Sequence, residues 1–91
     1  MRTGSIRDAE RRSSPIRRLN GDRSSWRVVV QTWSDRDGFH GRFVFEPDGA
    51  RPARETREGP DALTGTSRED VLRSAYDVPE ERLRALLHSL A

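Results

Sequence analysis

Asp35, Asp37 and His40 crowd into one short stretch and are the first residues of this sequence that could hold a divalent cation. A calcium loop needs oxygen ligands at its first and last positions. Aligning Asp37-Gly38 on the loop's central Asp-Gly puts Trp33 and Val44 there, and neither is a ligand. His40 and His88 each lack a second histidine or a cysteine at ligand spacing, so no zinc site is expected, and the aspartates read as turn formers. The run from Gly59 to Ser67 superficially suggests a phosphate loop. Its glycines stand one residue too far apart and the lysine is missing, so it reads as a linker ending in a helix cap. No Gly-x-Ser-x-Gly nucleophile elbow occurs. The carboxylate pairs Glu69/Asp70 and Glu80/Glu81 fall at expected helix starts, where the helix dipole accounts for them without acid–base chemistry. No catalytic residue, metal or cofactor is expected, and an enzyme is the least favoured class.

What remains is arginine. All 17 basic residues are arginines, as a GC-rich coding bias would also produce, and the formal net charge is only +2. The high pI of about 10.3 reflects how firmly the guanidinium keeps its proton, not a large surplus of positive charge. The distribution is uneven: residues 1–23 hold seven arginines against three acids, and residues 24–91 hold ten against twelve. Such an arm can contact phosphates through Arg7, Arg11, Arg12, Arg17 and Arg18, or meet an acidic protein. With no cysteine, no disulfide framework or thiolate nucleophile is expected. No apolar run has the length of a membrane helix or of a signal-peptide core, which leads us to expect a cytoplasmic protein without a membrane partner.

The elements that would position these residues are few. Trp26, Val28 and Val30 alternate in one run, and Phe39, Phe43 and Phe45 in the next, so strands are expected over 26–33 and 39–46 with a loop or bulge between them. A polar third strand over 53–57 would avoid an improbably long loop and suit a sheet edge. Ser67-Arg68-Glu69-Asp70 resembles a capping box with Asp in place of Glu. Val71, Leu72, Ala75 and Tyr76 follow at helical spacing and predict a helix over 68–76. Pro79 suits a first helical position, and Leu83, Leu86, Leu87 and Leu90 form the apolar stripe of a second helix over 79–90. A helix-turn-helix reading of this pair is disfavoured, because Glu80-Glu81 would open the recognition helix with negative charge facing phosphates.

The expected fold is therefore a small α+β domain over 26–91. It has an antiparallel β-hairpin or three-stranded meander with two C-terminal helices on one face, and residues 1–25 form a disordered basic arm. The pleat sets Val29, Trp33 and Val44 opposite the core; either a later segment such as Ala62-Leu63 folds over Trp33, or with Arg27 and Arg42 they form an exposed apolar strip of the composition found at binding hot spots. Two readings follow: a non-catalytic binding or adaptor module using that strip for a protein partner or a second copy of itself, or a nucleic-acid-associated protein using the arm.

Overall fold

The computed structural model describes residues 11–20, 25–48 and 55–90. Five strands form one antiparallel sheet: β1 (Arg12–Asn20), β2 (Ser25–Asp35), β3 (Gly38–Pro47), β4 (Arg57–Glu58) and β5 (Leu63–Gly65). Helices α1 (Arg68–Tyr76) and α2 (Glu80–Ser89) follow. The order is β1-β2-β3, and β4 and β5 share the outer edge of β3.

The β2–β3 hairpin is the centre, and its alternation is the one the sequence predicts. Val28 faces Phe45 across the ladder and Val30 faces Phe43; all four are essentially buried. The strands run further than expected, pairing from Trp26 with Pro47 to Asp35 with Gly38, so only Arg36 and Asp37 form the turn instead of a longer loop. Neither has a positive φ; that falls on Gly38 alone, at 125°. The Asp35 side chain accepts a hydrogen bond from the Asp37 amide (2.8 Å), which fixes the turn locally.

The largest departure from the sequence reading lies in residues 12–20. They form an ordered strand, β1, paired with β2 from Arg12–Thr32 to Asn20–Ser25, and not part of a disordered arm. The segment has too few apolar residues to fold on its own, but β2 supplies its backbone partners and the core receives Leu19, which is 1% exposed. Pro15 is tolerated because β1 ends the sheet, and a bulge between Pro15 and Arg17 absorbs the irregularity. Residues 1–10 and 21–24 of the expected arm lie outside the described residues, as do residues 53 and 54 of the expected third strand. The edge pairing occurs at Arg57–Glu58 and at Leu63–Gly65, so the expected linker contributes a strand.

Both helices cover one face, closing a core of Leu19, Trp26, Val28, Val30, Phe43, Phe45 and Leu63 against Val71, Ala75 and Leu83. Gly41 is needed there, since a Cβ would stand 2.6 Å from Val71 Cγ1. Ser67 caps α1, accepting from the Asp70 amide at 3.1 Å. The return arm of the box closes one residue early: the Asp70 carboxylate accepts from Thr66 N (3.0 Å). Pro79 occupies the N-cap of α2 and not its first helical position.

Candidate functional site

The described residues concentrate basic character on β1. Residues 11–20 contain four arginines and no acid. As the outermost strand, β1 has β2 on one side and no strand on the other among the described residues. Arg12, Ser13, Pro15, Arg18 and Asn20 are exposed.

The C-terminal helices hold the inner side of this strand through arginine. Arg68, at the start of α1, donates to Ser14 Oγ (2.6 Å). Arg17 reaches from β1 to the Tyr76 carbonyl (3.4 Å), where α1 ends and its dipole favours a cation. Arg84 of α2 bridges Glu80, one helical turn back (2.7 Å), and the Asn20 carbonyl (2.9 Å). Sequence reasoning missed Ser14, Arg68 and Arg84 as anchors of β1. The Glu80/Arg84 spacing is readable in the sequence, but the reach to Asn20 depends on tertiary closure. Arg11, Arg17 and Arg68 each keep a buried Nε without a hydrogen-bond partner among the described residues.

The residues expected to contact phosphate therefore divide. Arg17 is committed to the Tyr76 carbonyl, Arg18 pairs with Asp48 (3.2 Å) across the exposed surface, and Arg11 lies 4.7 Å above the Trp33 ring. Arg12 is exposed, and Arg7 lies outside the described residues.

The expected exposed strip is corrected by the structure. Val29, Trp33 and Val44 are 5%, 7% and 3% exposed, so they are buried. Leu63 does not cover Trp33; it packs on the opposite, helix-covered face. Over Trp33 stand polar side chains with flat or apolar parts: Arg11, His40 stacked at 6.0 Å, and Arg42 at 6.0 Å. Arg42 is further held by Gln31 (2.9 Å) and Glu58 (3.5 Å), and Arg27 by Glu46 (3.0 Å). Neither arginine stands free.

The cation candidates Asp35 and His40 meet each other, with His40 Nε2 2.9 Å from Asp35 Oδ1. That same oxygen receives the Asp37 amide, so the three residues build a turn. Among the described residues no group of three or more histidines and carboxylates is arranged to hold a metal ion. No helix of the described residues is long and apolar enough to cross a membrane. Comparisons of the chain with protein-family models, with curated proteins and with solved structures find no match.

Proposed function

We propose that this chain is a non-catalytic binding module that takes an extended acidic segment of a partner protein along the outer edge of β1. The observation that carries the reading is the outer edge of β1, which no strand among the described residues pairs, on a strand bearing three arginines and no acid, with Arg11 directly before it. Away from Pro15, which has no N–H to donate, an edge strand offers backbone donors and acceptors to an incoming strand, and alternate side chains set the preference. Acidic side chains suit Arg12 and Arg18. The Arg18–Asp48 pair is exposed, with the arginine side chain 59% accessible, so exchanging Asp48 for a partner carboxylate costs little.

Self-association through this edge is disfavoured, because β1 against β1 aligns arginines with arginines. A nucleic acid remains the second reading, on the exposed Arg12 and the same absence of acids on β1. Two considerations favour protein. A phosphate backbone makes no use of a strand's hydrogen-bonding ladder, and Arg11 and Arg17 are already engaged within the chain.

The test is a fluorescence anisotropy titration of the full chain with a labelled extended Glu/Val peptide, the same peptide with a central proline, and a labelled single-stranded oligonucleotide. The expected result is peptide binding that the proline variant loses and that Arg12→Glu with Arg18→Glu weakens at least about tenfold, from two pairs of up to about 1 kcal/mol each plus new repulsion. Oligonucleotide binding tighter than the peptide's and falling steeply with salt replaces the reading with the nucleic-acid one. Equal binding of both peptides refutes strand addition.

A further inference from the structure

At the other edge of the sheet from β1, the connection between β4 and β5 and helix α2 flank an apolar groove of about 330 Å³. Buried Phe43, Leu63 and Leu83 form its floor, and Ala62 and Leu86 stand on its opposite walls. The connection is held in place by backbone pairing, Gly59 N to Phe43 O at 2.8 Å. α2 packs directly over this connection, since a Cβ at Gly59 would meet Leu86 Cδ2 at an ordinary contact distance of 3.5 Å. Both walls are thus set by the fold and do not depend on a ligand to form.

Among the residues lining this groove Arg82 alone is charged. It is exposed, and its guanidinium makes no hydrogen bond or ion pair among the described residues, unlike Arg84 two residues further along the same helix. A volume near the small end of ligand pockets, which span about 300 to 1,000 Å³, fits one ring or a short alkyl chain. A guanidinium at the rim selects the charge of the other end, and its paired N–H groups match a carboxylate.

We propose that this groove is a binding site for a small apolar monocarboxylate, its ring or chain on Phe43, Leu63 and Leu83 and its carboxylate against Arg82. The site is separate from the β1 edge, so either reading can fail without the other.

Amide-resolved NMR titration of the full chain tests it, using phenylbutyrate, phenylbutanol and phenylbutylamine as probes. The expected result is saturable shifts centred on Ala62, Leu63, Leu83 and Leu86, with the acid bound about fivefold more tightly than the alcohol, as for a good exposed ion pair, and the amine most weakly. Arg82→Gln abolishes the difference between acid and alcohol and leaves alcohol binding intact. Ala62→Trp, at an exposed rim position, fills the groove and removes binding of all three while the folded spectrum persists. The proposal is overturned by non-saturable shifts, by shifts centred elsewhere, by an amine that binds as well as the acid, or by discrimination that survives Arg82→Gln.

Discussion

Replacing Trp33 by alanine separates a structural tryptophan from a recognition one. The ring is 7% exposed although it points away from the helix-covered core. An aromatic side chain buries about 150 to 250 Å². At about 25 cal/mol per Å², that transfer is worth about 4 to 6 kcal/mol, and residual compactness of the unfolded chain reduces it by about 10 to 40%. The expected loss is about 3 kcal/mol, at the lower end of aromatic-to-alanine changes in cores. That is a large share of a total of about 5 to 14 kcal/mol for a chain of 91 residues. With a urea m-value of about 2 kcal/mol/M, the midpoint falls by about 1.5 M. Trp26 remains as the fluorescence reporter. Arg11 provides an internal control: its cation lies 4.7 Å from the ring, so Arg11→Ala should cost about 0.5 to 1 kcal/mol in the parent and nothing in the Trp33→Ala background. A midpoint within about 0.25 M of the parent, equivalent to about 0.5 kcal/mol, would refute the reasoning and return Trp33 to the surface as a contact residue.

Two further substitutions probe the scaffold. Ser67→Ala removes the N-cap of α1 and should cost about 1 kcal/mol, a fall of about 4 to 8 °C in Tm by calorimetry. Gly41→Ala forces a methyl against Val71 and should destabilise by about 1 to 3 kcal/mol in urea titration; adding Val71→Ala should cost less than the sum of the two single changes, because it removes the opposing Cγ1.

The hairpin and both helices are legible in the sequence because their apolar residues repeat with one period throughout. Val28/Val30 against Phe43/Phe45 needs no information from elsewhere in the chain, and Ser67 announces α1 by local chemistry. β1 is not legible because its stability is borrowed: Leu19 and Ile16 cannot fold a segment, but they can complete a sheet that already exists. β5 is hidden by its length, with Leu63 its one apolar residue over three positions. Trp33 misleads for a different reason. The pleat correctly places it opposite the core, and its cover comes from Arg11, His40 and Arg42, residue types that a hydrophobic pattern counts as solvent-facing. Arginine identity was readable across Arg11, Arg12, Arg17 and Arg18, but which of them are spent on internal partners depends on contacts from distant elements such as Tyr76 and Asp48.

The clasp of the C-terminal helices on β1 sets a schedule for the chain as it is made. The donor that reaches Asn20 belongs to Arg84, sixty-four residues later, and the Tyr76 carbonyl trails Arg17 by fifty-nine. At synthesis rates of about 5 to 20 residues per second, the 37 residues from the end of β3 at Pro47 to Arg84 (84 − 47) leave a β1–β3 sheet without its last helix for about 2 to 7 s. During that interval Leu19 and Val28 face water, beside an edge that could recruit a neighbouring nascent chain. The like charges of Arg12, Arg17 and Arg18, with Pro15 interrupting the ladder, act as gatekeepers against that encounter until the last helix arrives.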